Sequence, residues 1–93
     1  MKKFMLVHFG FEPPTKEIMA AWKAWFDTIA DRQIEQGGFA DGREISDAGT
    51  SDLPWNSEAL TGYNIIEAES LDAATELARG CPYIKSIRVY ELR

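Results

Sequence analysis

Residues Gly62–Cys81 read GYNIIEAESLDAATELARGC, and this stretch decides the fold. Tyr63–Ala68 is a strand. Ser70 is placed to cap a helix over Leu71–Arg79, with Asp72 favourable in its first turn. Leu71, Ala74, Leu77 and Ala78 form the apolar face of that helix. Gly80 stops it, and Pro82 prevents it from restarting. Ser86–Leu92 then alternates Ile87 and Val89 against Arg88 and Tyr90, as a half-buried strand does. The second half of the chain is therefore one β-α-β unit.

Working outward, the first half repeats the order. Lys3–Phe9 is short, apolar and bounded by Gly10 and Pro13-Pro14, which marks a strand. Both its faces are apolar, with Met5, Val7 and Phe9 on one and Phe4 and Leu6 on the other. Such a strand sits centrally, with cover on each side. Thr15 is an N-cap. From Lys16 to about Gln36, Ile18, Trp22, Trp25, Phe26 and Ile29 recur at helical spacing, predicting an amphipathic helix about 31 Å long. Gly37-Gly38 are read as its end. A strand is expected around Arg43–Ser46, and Ala48–Leu60 reads as a long exposed loop.

The order β-α-β-β-α-β predicts a single α+β domain over residues 1–93. It has the ferredoxin-like architecture, an antiparallel four-stranded sheet with two helices on one face. The uncovered sheet face then needs a second cover. A second copy of the sheet is the simplest, so a homodimer with its sheets face to face is expected.

The same residues carry a family resemblance. GYNIIEAESLDAATELARGC is similar to the signature half of the YCII-related (DGPF-domain) family: an aromatic strand ending near IEA, then SLDAA, a helix and a GCP turn. SIRVYEL resembles that family's last strand, FMLVHFG its first and MAAWKAWF its long helix, so the likeness spans nearly the whole chain. Asp52-Leu53-Pro54-Trp55 stands where Asp-Gly-Pro-Phe is usual, and a role resting on that glycine does not carry over. The resemblance implies a ferredoxin-like subunit pairing as a dimeric α/β barrel. It also implies kinship with small enzymes that use a His–Asp pair, among them a dehydrochlorinase acting on a chlorinated hydroxyquinol. The histidine of that pair lies at or near the long helix. This chain has none there, so the pair is not transferred.

Composition narrows the function. The 93 residues include 15 acidic and 10 basic ones, a net charge of −5. Only Lys2-Lys3 are adjacent basic residues, whereas nucleic-acid binding needs clustered Lys and Arg. An acidic surface also repels anionic membranes, and no stretch has transmembrane length. The apolar run after Lys2-Lys3 is interrupted by His8 and followed by no small-residue cleavage site, so it is not read as a signal peptide. The single cysteine excludes an internal disulfide and a Cys-rich metal site. A reducing, cytoplasmic setting is expected, with no cofactor and no metal. No Walker or dinucleotide glycine pattern is present.

Topology should bring His8, Asp52, Trp55, Tyr63 and Cys81 to one edge of the sheet, and leave Gly37, Glu67 and Glu69 at the other. His8 is the candidate general acid or base, or else a half-buried histidine bonded to a backbone carbonyl or to Asp52. It shares strand parity with Phe4 and Leu6, which would put it inside the barrel if that face is the interior. Asp52 either orients the imidazole or begins the turn before Pro54. Trp55 and Tyr63 either floor an apolar pocket with hydrogen-bonding tips or pack an interface. Cys81 follows a helix C-terminus, where the dipole disfavours thiolate, so a structural thiol is preferred to a nucleophile. Trp22 and Trp25 are assigned to the core. The parity of Glu67 and Tyr90 relative to His8 stays open. Two functions remain: a lyase- or isomerase-type enzyme acting on a small cyclic or aromatic metabolite through His8, and a non-catalytic module that binds such a molecule.

Overall fold

A computed structural model describes residues 1–93. The elements are β1 (Lys2–Phe9), α1 (Lys16–Ile29), β2 (Gln33–Gly38), β3 (Gly42–Ser46), β4 (Gly49–Leu53), β5 (Leu60–Ala68), α2 (Leu71–Arg79) and β6 (Ser86–Glu91). Four strands form an antiparallel sheet in the order β2-β5-β1-β6, and β3 and β4 form a separate hairpin. Both helices cover one face of the sheet, giving the ferredoxin-like α+β fold that the element order predicts.

The caps form as the sequence indicates. Thr15 Oγ1 accepts from the Ile18 amide at 3.2 Å, and Ser70 Oγ accepts from the Ala73 amide at 3.1 Å. Between the helix layer and the sheet lies one core: Phe4 and Leu6 of β1, Ile66 and Ala68 of β5, Trp25 and Ile29 of α1, and Ala74, Ala78 and Cys81 in and after α2. Ala74 and Ala78 are one turn apart, and their small side chains let α2 lie close to the sheet. The Trp25 indole donates from Nε1 to the Leu77 carbonyl at 2.9 Å and so ties the two helices together. Leu71, expected on the apolar face of α2, is exposed.

Two boundaries differ from the sequence reading. The long helix ends at Ile29, not near Gln36, and is about 21 Å long. Gln33–Gly38 form β2, the second strand of the sheet. Gln, Ile and Glu are acceptable helix formers, but without β2 the outer edge of β5 would have no hydrogen-bonding partner. Pairing therefore overrides propensity. Gly37-Gly38 consequently lie within a strand and do not terminate a helix. Gly37 is at the same end of the sheet as His8, not at the opposite one, because it pairs with Tyr63. The Tyr63 ring lies directly over Gly37: a Cβ there would stand 2.6 Å from Tyr63 Cε1 and would displace the ring.

The expected strand near Arg43–Ser46 exists as β3, but it belongs to the hairpin. The segment read as a loop contains its partner β4. The register runs from Gly42↔Leu53 to Ser46↔Gly49, around a tight turn at Asp47-Ala48 that Gly49 closes with φ +117°. Thr50, Ser51 and Asp52 carry no apolar alternation, so the strand left no periodic signal. The hairpin packs chiefly on itself, and Ile45 is 82% exposed.

Candidate functional site

Register fixes which side chains share a face. Phe4, Leu6 and His8 of β1 point toward the helices, as do Asn64 and Ile66 of β5. The face bearing His8 is therefore the helix-covered core and not the uncovered face. Glu67 and Tyr90 pair with Lys3 and Met5, so both lie on the uncovered face, away from His8.

His8 is only 8% exposed and Asn64 only 2%. Asn64 Nδ2 donates to Gln33 Oε1 at 2.6 Å, which leaves Asn64 Oδ1 to face His8 Nε2 at 2.6 Å. An amide oxygen only accepts, so Nε2 carries the imidazole proton in this arrangement. Nδ1 then offers its lone pair to the Cys81 thiol, whose Sγ is 3.9 Å away. The rings of Trp22 and Trp25 meet the imidazole edge-on, at centroid distances of 5.2 and 5.8 Å. Burial lowers the His8 pKa below 6.5, with the Asn64 bond opposing that effect in part. The imidazole is thus neutral at pH 7. Burial also pushes the Cys81 thiol up to about 12, which agrees with a structural thiol and opposes a thiolate nucleophile.

An open cavity of about 480 Å³ lies between α1 and the β2–β5 pair. Trp22 and Phe26 form its helix side, Gln36 and Asn64 supply amides, His8 closes one end, and the main chain of Gly38 and Gly62 lies beneath. Asn64 lines this cavity and Cys81 does not, so the cavity shares the Nε2 side of the imidazole. No acidic, lysine or arginine side chain lines it. No group of three His, Cys, Asp or Glu side chains is arranged to hold a metal ion.

The other expected site residues lie elsewhere. Asp52 is on the exposed hairpin, where its carboxylate pairs with Arg43 at 2.9 Å. It does not orient His8; Asn64 holds the imidazole instead. Trp55 packs edge-on against Phe11 and donates from Nε1 to Asp41 at 3.4 Å. Tyr63 borders the His8 cavity through its strand, but its ring turns to the uncovered face. There it stacks on Phe39, and its hydroxyl donates to Glu35, a bond that raises the tyrosine pKa. Trp55, Phe39, Phe9, Leu53 and Leu60 line a second cavity of about 500 Å³ beside the hairpin. Of the five residues expected at one edge, only His8 and Cys81 meet side chain to side chain.

Asn64, Gln33, Gln36 and the Gly38–Gly62 pair were not singled out by sequence reasoning, and Trp22 was assigned to core packing alone. Asn64 had a signal. It shares parity with Ile66 and Ala68 in an otherwise apolar strand, and a polar residue at a core-facing position needs a partner inside.

Fold and cavity together define a ferredoxin-like α+β domain with a neutral, aromatic-walled site. The chain belongs to the YCII-related domain family, whose model matches residues 10–93. Among solved structures it is similar to 5-chloro-2-hydroxyhydroquinone dehydrochlorinase from Burkholderia phenoliruptrix AC1100, in complex with 2,5-dihydroxybenzoquinone. The TM-score is 0.60 at 16% identity, over 98% of this chain and 93% of that one, a likeness of fold. No curated protein matches the chain significantly. No helix is long and apolar enough to cross a membrane.

Proposed function

We propose that this protein is a lyase- or isomerase-type enzyme that binds a small cyclic metabolite in the helix-side cavity and moves a proton on it through His8. The observation that carries this reading is a neutral imidazole, fixed by Asn64, at the end of an aromatic-walled cavity. Neutral imidazole is the form that can accept a proton at pH 7. Nε2 carries the proton at rest. It becomes the base when the proton sits on Nδ1, against the Cys81 sulfur, and the Asn64 amide turns over at the cost of its bond to Gln33. A substrate hydroxyl that donates to Nε2 in place of Asn64 offsets that cost. An isomerase returns the proton to another atom of the same molecule; a lyase loses it together with a leaving group as a double bond forms. The structural neighbour, a dehydrochlorinase bound to a quinone, supports this by analogy of fold.

A second reading rests on a specific observation. Both imidazole nitrogens already have partners inside the protein, as in a site that binds without reacting. NMR titration of the single histidine, with and without phenols, decides whether the cavity binds. Ligand-dependent movement of the His8 signals supports the site, and signals unmoved by every phenol tested refute a role for His8 in it. Turnover that is lost in His8→Asn while binding is kept marks the enzyme. Binding without any turnover leaves the module.

The uncovered face supports the second part of the proposal, a homodimer. Met5, Val7 and Phe9 of β1 and Ile65 of β5 are only half-covered by their own chain, and Tyr90 of β6 is exposed beside them. A second sheet packed there closes them. A cytoplasmic setting fits the single buried thiol.

A further inference from the structure

We infer that Gly38 sets the specificity of the helix-side cavity, and that the cavity takes an uncharged planar ring bearing hydroxyl or carbonyl oxygens, seated on the Gly38–Gly62 main chain. The inference rests on the site proposed above and adds to it the class of ligand and the residue that admits it.

The argument starts from the two glycines. Gly38 and Gly62 pair directly across β2 and β5, on the same face as the neighbouring pair Gln36 and Asn64. Two facing glycines leave a strip of bare main chain beneath α1. Their reasons for being glycine differ. A Cβ at Gly62 would stand 2.8 Å from the Gly37 carbonyl oxygen, so the backbone itself forbids a side chain there. A Cβ at Gly38 would meet nothing nearer than the Thr61 carbonyl oxygen at 3.8 Å, and Gly38 has no positive φ. Neither sterics nor backbone conformation requires glycine at 38. What its missing side chain leaves open is the cavity.

The shape and chemistry of that space select the occupant. A flat strip of main chain on one side and the Trp22 and Phe26 rings on the other accommodate a flat ring, which can stack on the aromatics. The polar residues lining it, Gln36, Thr61, Asn64 and neutral His8, carry no charge, and such groups suit a hydroxyl or a carbonyl. Lysine and arginine are absent from the lining, so a carboxylate brought in would be desolvated without a counter-charge. A non-planar ring of the same size cannot lie flat on the Trp22 and Phe26 rings and so forgoes that stacking contact.

The test uses three probes of similar size at pH 7: resorcinol, benzoate and 1,3-cyclohexanediol. Binding to the intact protein is followed by tryptophan fluorescence and by the His8 NMR signals. Resorcinol is expected to bind at least tenfold more tightly than either other probe. Gly38→Val is expected to abolish resorcinol binding, with Tm unchanged or raised, since valine suits a strand better than glycine. Gly38→Ala, a smaller plug, is expected to weaken binding several-fold and keeps the test alive should the valine variant not fold. Resorcinol binding unchanged in a folded Gly38 variant overturns the role of Gly38, and benzoate binding as tightly as resorcinol overturns the ligand class. In both cases, if the His8 signals still move, the His8 site survives. Binding that is blocked by Gly38→Val yet never moves the His8 signals has the opposite meaning: the glycine floor stands and the role of His8 falls.

Discussion

The two faces of one sheet are built from alternate residues of the same strands, yet they have different fates. On the helix-covered face, Phe4, Leu6 and Ile66 are completely buried, and even His8 and Asn64 are almost fully so. One residue away, Met5, Val7 and Ile65 point to the other side and stay half-covered. The shortest dimension of the molecule, 18 Å, is that of one sheet and one helix layer. The polar residues follow the same division. On the covered face they are neutral and satisfy one another in a chain from Cys81 through His8 and Asn64 to Gln33. On the uncovered face they include charged groups, such as Glu35 under the Tyr63 hydroxyl and Arg88 over the Phe9 ring. Apolar patterning alone does not say which face closes on its own chain. The positions of the helices do.

The sharpest way to break this contrast is a pair of truncations. Leu6→Ala is expected to cost about 2–5 kcal/mol of stability, because it leaves a cavity in a closed core. Val7→Ala is expected to cost less than about 1 kcal/mol in dilute protein, where the uncovered face stands open. Equal losses in urea unfolding would show that both faces are equally closed within one chain.

Cys81 tests how tightly the covered face is sealed. A thiol titrating near 12 instead of 9.0 holds roughly a thousandfold less thiolate at neutral pH. Native protein should therefore react with a thiol reagent far more slowly than urea-unfolded protein. Comparable rates would contradict the buried thiol.

The uncovered face is tested by mass. If a second copy covers it, the wild type sediments at twice the chain mass and its Tm rises with concentration. Val7→Glu with Ile65→Glu then halves the mass. A wild type that stays at the mass of one chain at every concentration refutes the dimer.

Acid probes His8 more gently. Its pKa is lowered in the folded state, so between that value and about 6.5 the unfolded chain binds the proton that the folded chain refuses. The stability contributed by neutral His8 is complete above about 6.5 and is lost as pH falls toward the folded value. Tm should therefore fall on acidification through this window, and less steeply in His8→Gln. Identical slopes would mean that His8 is solvated.

The smallest effect is expected at the hairpin. The Arg43–Asp52 pair is solvent-exposed, so Asp52→Asn should change stability by less than about 1 kcal/mol. It should also leave the His8 NMR signals in place. A shift of those signals would reconnect Asp52 to the imidazole.

Much of this was legible in the residues. Ser70, Gly80 and the apolar spacing of Leu71–Arg79 fix α2, Thr15 fixes the start of α1, and the apolar run before Gly10 fixes β1, because caps, periodicity and turn residues act locally. The element order then yields the ferredoxin-like sheet through the handedness of β-α-β connections. The end of α1, the strand Gln33–Gly38 and the hairpin partner of β3 were decided by tertiary pairing. Their residues have no local preference strong enough to oppose an unfilled edge of β5 or a cross-strand partner. The site divides in the same way. That His8 shares a face with Phe4 and Leu6 follows from the two-residue repeat of a strand. That this face lies beneath Trp22 and Trp25, that Asn64 and not Asp52 holds the imidazole, and that Gly38 opens a cavity beside it depend on register between strands distant in sequence. Such register is set by the packing of the whole sheet, and no single segment encodes it.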